Sequence, residues 1–332
     1  MIIDIHGHVA APVELYHWKT NLLSARGFND SNSPKLSDEK VAAAAEGLIK
    51  TLDEVGTDLQ IISPRPFQMM HSEKPARIVH DWIAENNNII SRQAQMFPDR
   101  LAGMAGLPQI AGEPVTVALP ELERAVTELG LLGCLLNPDP YEGDGNPPPL
   151  GDEYWYPLYE KLVELDVPAL IHSASCKNGR ESFSSHFITE EGIGIVSLCS
   201  SRVLEDFPTL KLISAHGGGP VPYQIGRWRA NRWRSGREVK ETFDESLGKL
   251  FFDTVLYNKE SIELLLKICG ADHCMFGTEK PGFGSARDPQ SGLWLDDLKP
   301  VIESIEWLSE ADRELVFEGT ARRVFTKLKV AA

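Results

Sequence analysis

Short apolar runs alternate along this chain with longer segments of helical period, and this alternation is what most limits the possible fold. The apolar runs are nearly continuous, which is typical of strands buried on both faces of a parallel sheet. About eight strand-then-helix units in 332 residues predict an α/β protein with a (β/α)8 TIM barrel. A doubly wound sheet stays open as the alternative, because periodicity does not reveal whether a sheet closes. The predicted strands are Ile2–His6, Leu59–Ser63, Leu101–Leu107, Gly133–Asn137, Val167–His172, Leu210–His216, Leu250–Val255 and Cys274–Glu279.

The chain is expected to form one domain over residues 1–332, since no linker-like segment divides it. Two long segments rich in helix-breaking residues, 10–36 and 138–151, follow the first and fourth predicted strands. Both are predicted to be loops over the C-terminal face of the barrel, where barrel enzymes build their sites. The tail, Ser309–Leu328, is predicted to add one or two helices on the outside.

Charge and cysteine content narrow the partners and the compartment. The composition is ordinary for a globular protein, and the formal net charge of −15 argues against nucleic acid or an anionic membrane as a general partner. The five cysteines are scattered without a Cys-x-x-Cys pair, which indicates reduced thiols. The first residues, "MIIDIHGH", lack the basic region of a signal peptide, and no apolar run is long enough to span a bilayer. A cytoplasmic location is therefore expected.

Metal-ligating side chains follow four of the predicted strands. His6 and His8 end the first, His172 the fifth, His216 the sixth and Glu279 the eighth. The carboxyl ends of parallel strands meet at one edge of a barrel. Side chains along a strand alternate between its two faces, so His6 and His8 are expected on the same side of the first strand. Isolated histidines such as His17, His71, His80 and His273 are read instead as ordinary structural or surface residues. Two paired imidazoles, a third histidine and a carboxylate predict a divalent-metal site, with zinc first and manganese or iron as alternatives. Its predicted ligands are His6, His8, His172 and Glu279.

The string His216-Gly217-Gly218-Gly219 has two possible interpretations. In esterases a His-Gly-Gly-Gly loop forms an oxyanion hole. At the mouth of a barrel the same string is a histidine followed by a turn that brings backbone close to a ligand. No Gly-x-Ser-x-Gly nucleophile motif occurs in the sequence, so the esterase interpretation is disfavoured.

Four motifs, "DIHGH", "ALIHSAS", "LISAHGGG" and "MFGTEK", occur in the order found in the amidohydrolase superfamily, which the whole chain resembles. The resemblance implies a metal-dependent hydrolase-type barrel with a C-terminal helical extension. Binuclear members bridge two metals with lysine or glutamate after strand four. Asn137 stands there in this chain, so one metal ion is expected.

Within the superfamily, the chain resembles the amidohydrolase-2 branch that includes aminocarboxymuconate semialdehyde decarboxylases. "HGGGPVPYQIGR", "FFDTVLY" and the use of Glu279 instead of aspartate are most similar to hydratases acting on 4-oxalomesaconate. This resemblance implies a hydratase, which is a carbon–oxygen lyase, with a role in aromatic-acid catabolism. Such an enzyme adds metal-activated water across the double bond of an unsaturated oxo-polycarboxylate. The alternatives are a decarboxylase of a hydroxyaromatic or muconate-type acid, a lactone or amide hydrolase, and a barrel that binds a small acid without turnover.

The hydratase reading assigns catalytic roles to three side chains. Glu279 is expected to act as ligand and proton acceptor, and His216 to polarise the substrate or carry a proton. The resembled group has a tyrosine acid after strand five, but Cys176 to Ile188 contains none. Either His186, which lies near that place, replaces it as the acid, or the chain acts on a different substrate.

An anionic small-molecule substrate requires cations and hydrogen-bond donors. Asp253, in the seventh predicted strand, is a candidate for orienting a neighbouring side chain of the site, although a structural hydrogen-bonding role fits it equally well. A homo-oligomer, a dimer or higher, is expected, and exposed tryptophans in "GRWRANRW" would support it, although buried packing explains these tryptophans too. The predicted substrate-binding residues are Arg65, Asn137, Ser173, Arg227, Lys280 and Arg287.

Overall fold

The structure is a computed structural model that describes residues 1–28, 33–234 and 241–329. All eight predicted strands are present in this part of the chain, although most are shorter than predicted. The strands are β1 Ile3–His8, β2 Leu59–Ser63, β3 Leu101–Gly103, β4 Cys134–Leu136, β5 Ala169–Ile171, β6 Leu212–Ser214, β7 Phe251–Asp253 and β8 Cys274–Met275.

Helices connect the strands and continue past the last one. None of the helices within the described ranges is long and apolar enough to cross a membrane. They are α1 Val13–Ser24, α2 Asp38–Val55, α3 Ala76–Met96, α4 Leu119–Thr127, α5 Tyr156–Leu165, α6 Phe183–Cys199, α7 Val203–Asp206, α8 Ile225–Arg234, α9 Phe243–Leu247, α10 Lys259–Cys269, α11 Lys299–Glu303, α12 Glu310–Glu314 and α13 Thr320–Val324.

The strands close into a barrel. Every neighbouring pair within β1–β3 and within β4–β8 is parallel. Between β3 and β4, the Ala105 amide donates to Gly133 O and the Leu135 amide donates to Ala105 O, both at 2.8 Å. The Ile5 amide donates to Phe276 O at 2.9 Å and joins β8 to β1. The (β/α)8 prediction is confirmed, and the doubly wound alternative is wrong.

Successive strand residues pack into two different cores. Leu170 and Ile213 belong to an apolar cluster inside the barrel, whereas Ile171 and Leu212 pack in the larger cluster between the strands and the helices. Side chains alternate between the two faces of a strand, and both faces of this sheet are covered. This double burial explains why the strands are continuous apolar runs in the sequence.

The C-terminal tail closes one end of the barrel interior. A π-helical turn, Leu315–Gly319, joins α12 and α13, and Ala321, Val324 and Phe325 are buried in the inner cluster. The Met1 ammonium, which precedes β1, pairs with Glu318 at 2.7 Å, so the tail lies at the N-terminal ends of the strands. The prediction that the tail packs only on the outside is wrong, because inner apolar side chains at this end need a cover.

The first predicted loop, residues 10–36, contains the helix α1. Leu15 and Leu22 are buried, and Tyr16 and Trp18 pack on Trp82 of α3 with ring centroids 6.5 and 6.2 Å apart. The two leucines are seven residues apart and lie on one face of the helix. The prediction that residues 10–36 form a loop is therefore wrong for Val13–Ser24. Residues 29–32 lie outside the described residues.

Candidate metal centre

A bulge in β1 turns both histidines of the His-x-His motif into the barrel mouth. The pairing of β1 with β2 shifts by one residue between Asp4 and Gly7. Ile5 lies in the inner apolar cluster, and the next residue, His6, already lies beside the histidines of β5 and β6. A regular strand would place Ile5 and His6 on opposite faces. The bulge re-aims the second half of the strand, as bulges near active sites often do.

Four of the side chains at the strand ends form a compact ligand set. One nitrogen or oxygen from each of His6, His172, His216 and Glu279 lies within 4.8 Å of the others. His8 adjoins this set, with its Nε2 3.6 Å from Glu279 Oε1. All five residues are buried or nearly so. We call these five residues the metal centre.

Three imidazoles of the metal centre are held by their Nδ1 atoms. His6 Nδ1 lies 2.6 Å from Asp253 Oδ2, His8 Nδ1 3.0 Å from Ser63 Oγ, and His172 Nδ1 2.7 Å from the Ser173 carbonyl. Metal-binding histidines use their second nitrogen in this way, which fixes the ring and its tautomer.

The Nε2 atoms of His6, His8 and His172 are buried and have no hydrogen-bond partner among the described residues. Buried polar atoms without partners are rare in folded proteins and need an explanation. Three such nitrogens beside a carboxylate fit a single divalent cation. The structure thus contains a histidine–glutamate cluster suited to a divalent metal.

The protonation states of the histidines at this site agree with metal binding by His8 and His172. Burial lowers the pKa of His8 to about 4 and that of His172 well below its usual value, so both imidazoles are neutral at pH 7. Metal ligation requires neutral imidazole. For His216, burial opposes protonation, but Glu191 Oε2 lies 2.9 Å from Nδ1 and the glutamates raise the pKa well above its usual value. His216 therefore carries a proton that His8 and His172 lack.

Three residues of the site have left-handed backbone conformations. The φ angles are 50° at His216, 57° at Tyr257 and 59° at Glu279. Non-glycine residues rarely adopt positive φ, and such strain is concentrated at functional sites. Gly219, which ends the triglycine turn after His216, has a φ of 56°, and a Cβ there would lie 2.5 Å from the Ile188 carbonyl oxygen. The triglycine string is thus a tight turn against α6.

Tyr257 is a site residue that the sequence analysis missed. Its hydroxyl donates to Glu279 Oε2 at 2.5 Å, and burial together with Glu279 raises the pKa of the phenol. Tyr257 follows β7, so its place after a barrel strand was the available signal. A tyrosine was expected only after strand five, so a tyrosine after strand seven was not considered.

A cavity of about 220 Å³ opens beside the metal centre. His216, Glu279, Tyr257 and Ser184 supply its polar lining, and Phe187, Phe183 and other apolar residues form the rest. Phe187 also packs against His172 with ring centroids 5.0 Å apart. The cavity combines an apolar wall with a few convergent polar groups, as small-molecule sites do.

Arg65 is the predicted substrate-binding cation whose position fits that role. It is half-buried after β2, and its charge acts on His8. Its guanidinium has no hydrogen bond or ion pair with any described residue. It is therefore available to an anion at the barrel mouth.

The other three predicted cations lie elsewhere. Lys280 is buried and pairs with Asp296 at 2.6 Å, so its ammonium is already compensated. Arg287 is exposed and packs over Trp294 at 4.2 Å, and Arg227 is exposed on α8. The structure does not bring these three to the metal centre.

Asn137 and Ser173 are both buried. The Asn137 amide donates to the Asp139 carbonyl and bonds His71, so its hydrogen-bonding capacity is used within the protein. The Ser173 hydroxyl has no partner among the described residues, and the Ser173 carbonyl holds His172. Of this pair, only Ser173 has a polar side-chain atom left for a ligand.

His186, the predicted acid, is not part of the metal centre. It is buried on α6, with Nε2 3.2 Å from Asp139 and Nδ1 3.3 Å from Glu181. Its neighbour Phe187 faces the metal centre instead, because adjacent helix residues point about 100° apart. His186 lines a separate cavity, so the structure does not bring it to the metal centre.

Fold and side-chain cluster together are typical of a metal-dependent barrel enzyme, with the histidine–glutamate cluster at the C-terminal ends of the strands. Residues 3–327 match the Amidohydrolase family model. The chain therefore belongs to the amidohydrolase family.

Comparison with known proteins gives relatives over almost the whole length. The chain is 37% identical over 333 residues to 2-keto-4-carboxy-3-hexenedioate hydratase of a Sphingobium species, covering 99% of this chain and 97% of the relative. It is 26% identical to gamma-resorcylate decarboxylase of a Polaromonas species, covering 94% and 96%. The family resemblance inferred from the motifs is confirmed.

Solved structures agree. Crystalline 4-oxalomesaconate hydratase from Rhodopseudomonas palustris superposes with a TM-score of 0.89 at 35% identity, covering 99% of this chain and 96% of that one. A Polaromonas dihydroxybenzoic acid decarboxylase with bound manganese shares the fold, with a TM-score of 0.73 at 20% identity and coverage of 99% and 98%.

Proposed function

We propose that this protein is a metal-dependent hydratase that adds water across the double bond of an unsaturated oxo-polycarboxylate such as 4-oxalomesaconate. The observation that carries the proposal is the convergence of three unpartnered, buried imidazole nitrogens beside Glu279. Hydratases are the relatives at 37% and 35% identity, and both alignments cover nearly the entire chain. Aromatic-acid catabolism is the metabolic setting expected for such a substrate.

His6, His8, His172 and Glu279 would hold the cation, with Asp253, Ser63 and the Ser173 carbonyl orienting the rings. Zinc suits three imidazoles and one carboxylate, and manganese is the alternative to be compared. A bound divalent cation lowers the pKa of a coordinated water towards neutrality.

The side chains of this protein would handle the protons. Glu279 takes a proton from the adding water, and the Tyr257 hydroxyl holds the carboxylate in place. His216, kept charged by Glu191, donates a hydrogen bond to a substrate oxygen and supplies a proton as the double bond is consumed. The Phe187 ring limits access of bulk water to this cavity.

Arg65 would recognise a carboxylate of the substrate. Its guanidinium is half-buried, lies near His8 and has no partner among the described residues. An arginine fork binds a carboxylate through two parallel hydrogen bonds. A polyanionic substrate would complete this interaction.

The test is a substrate panel with purified protein loaded with zinc or manganese. We expect loss of conjugated ultraviolet absorbance with 4-oxalomesaconate and no carbon dioxide release. Release of carbon dioxide from 2,6-dihydroxybenzoate with no hydration would overturn the proposal in favour of a decarboxylase. Activity that survives complete chelation of metal would reject the metal-dependent mechanism itself.

A homo-oligomer remains part of the proposal. On α8, Trp233 is 74% exposed, and Ile193 of the nearby α6 is 49% exposed. Apolar side chains exposed to this extent favour a subunit contact. Light scattering of the purified protein would measure the subunit number, and a monomer at all concentrations would refute this part.

A further inference from the structure

A second cluster of ligand-type side chains lies on the flank of α6, away from the metal centre. Asp139, His186 and Glu190 each place one ligand atom within 4.8 Å of the others, and Glu181 lies 3.3 Å from His186 Nδ1. We call these four residues the flank site. They border a cavity of about 420 Å³ between α6 and the segment 138–151.

His186 provides an observation beyond the acidic cluster itself. Its side chain is only 1% exposed, and its Nε2 is buried and makes no hydrogen bond with the described residues. This nitrogen lies 3.2 Å from Asp139 Oδ2, and the carboxylates on both sides favour a proton on the imidazole, which a bound cation would replace because ligation requires neutral imidazole. Atoms placed in this way are typical of ligands around a metal ion.

The net charge of the flank site favours a bound metal cation over an ion pair between His186 and a carboxylate alone. Asp139, Glu181 and Glu190 supply up to three negative charges, and a protonated His186 neutralises only one. Within the described ranges, no lysine or arginine forms an ion pair with any of these carboxylates. A divalent cation would compensate the remaining charge, which is costly to leave unpaired near a buried group.

Two features bring the side chains of the flank site together. The amides of Tyr141 and Gly143 donate to Asp139 Oδ1 and Oδ2 at 2.9 and 2.6 Å, which fixes this carboxylate. His186 and Glu190 are four residues apart on α6 and therefore share one face. Cys176 Sγ lies near, but burial raises the pKa of its thiol, so we leave it outside the ligand set.

We propose that the flank site binds a second divalent first-row metal ion through the imidazole of His186 and the carboxylates of Asp139 and Glu190, with Glu181 completing the shell. The ligand set is one nitrogen and two or three oxygens, which suits Mn²⁺ or Zn²⁺. The site lies outside the catalytic cavity. It would brace α6, whose adjacent face carries Phe187 and the Glu191 that holds His216.

The experiment is a titration of metal-free protein with MnCl2, in which free Mn²⁺ is measured by electron paramagnetic resonance and bound Mn²⁺ by elemental analysis. We expect two equivalents per chain for the parent protein. His186→Ala and Glu190→Gln should each reduce this to one equivalent, while His172→Ala should weaken the other equivalent and retain the flank-site ion.

Asp144→Asn, which removes an exposed carboxylate from the same segment, and His273→Ala are matched controls that should keep two equivalents. Circular dichroism checks the fold of each variant, and the partly exposed Glu190 provides a test if His186→Ala does not fold. One equivalent in the parent, or two in the folded Glu190→Gln variant, would overturn the proposal. The count at the flank site does not depend on whether the enzyme hydrates its substrate.

Discussion

The metal centre and the flank site use the same residue types but hold their histidines differently. At the metal centre, His6, His8 and His172 each have Nδ1 bound to an oxygen and Nε2 left without a protein partner. At the flank site, both nitrogens of His186 lie beside carboxylates, which outweigh the effect of burial and raise the pKa of the imidazole. Burial lowers the pKa of His8 and His172, whereas the carboxylates beside His186 outweigh burial, so the balance of burial and neighbouring charges decides whether each of these three imidazoles is charged.

The scaffolds differ as well. The residues of the metal centre follow strands β1, β5, β6 and β8, whose positions are fixed by the closed barrel. The flank site joins a helix to the loop segment 138–151. Sites on rigid elements keep their geometry more closely, so we assign the chemistry to the metal centre and a bracing role to the flank site.

The largest effect is expected when a ligand of the metal centre is removed. His172→Ala should lower kcat/KM by about 1,000-fold, because a metal ion contributes several kcal/mol to catalysis. Steady-state kinetics with elemental analysis would measure activity and metal together. His273→Ala should match the parent protein. Full activity in a metal-depleted His172→Ala variant would remove the metal from the mechanism.

Loss of the carboxylate behind His6 should have a smaller effect. Asp253→Asn keeps the size of the side chain but removes the charge 2.6 Å from His6 Nδ1. We expect metal affinity to fall by about 10- to 100-fold, the usual consequence of changing such a partner. Competition with a chelator would measure it, and Asp272→Asn, at an exposed carboxylate, is the control. Equal affinities would mean that Asp253 is only structural.

Tyr257→Phe tests the hydroxyl that positions Glu279. The ring stays and only the 2.5 Å hydrogen bond is lost. Hydrogen bonds to charged groups contribute about 1.5–3 kcal/mol, so we expect kcat to fall by about tenfold or more with a smaller change in KM. Tyr223→Phe, at a tyrosine that is 78% exposed, should have no effect. A change confined to KM would instead assign Tyr257 to substrate binding.

His71 extends the comparison to a histidine with a purely structural role and the smallest expected effect on activity. Burial lowers the pKa of His71 to about 4, below the value of about 6.5 in the unfolded chain. The unfolded state therefore binds more protons between pH 4 and 6.5, and the free energy of unfolding should decrease by about 3 kcal/mol as the pH falls through this window.

Denaturant titrations at several pH values would measure this slope. His71→Gln should make it shallower, while His80→Gln should leave it unchanged. Parallel curves for the parent and His71→Gln would show that other groups dominate the acid sensitivity.

Much of the fold was predictable because burial on both faces of each strand leaves a continuous apolar run. Leu59–Ser63 coincides with the predicted strand, and all eight strands lie where they were expected. The helix α1 was missed because only Leu15 and Leu22 are buried, which leaves a weak helical pattern. Its position directly after a predicted strand is also where a loop is expected. The direction of His186 was not predictable, because it depends on the phase of α6, which begins at Phe183.

Long-range contacts at the site were beyond prediction. Asp253 and His6 are 247 residues apart in sequence and 2.6 Å apart in space. Nothing near Lys280 in the sequence shows that its ammonium turns to Asp296. Tyr257 and Glu279 meet only because β7 and β8 are neighbours in the closed barrel.

The sequence by itself determined the order of strands and helices and the placing of His6, His8, His172, His216 and Glu279 at strand ends. Local hydrophobic pattern carries that information. Only the tertiary structure decided that a bulge in β1 turns His6 inward and that His186 faces a second cavity. The physical reason is that strand register and helix phase depend on packing between distant segments, which no local pattern encodes.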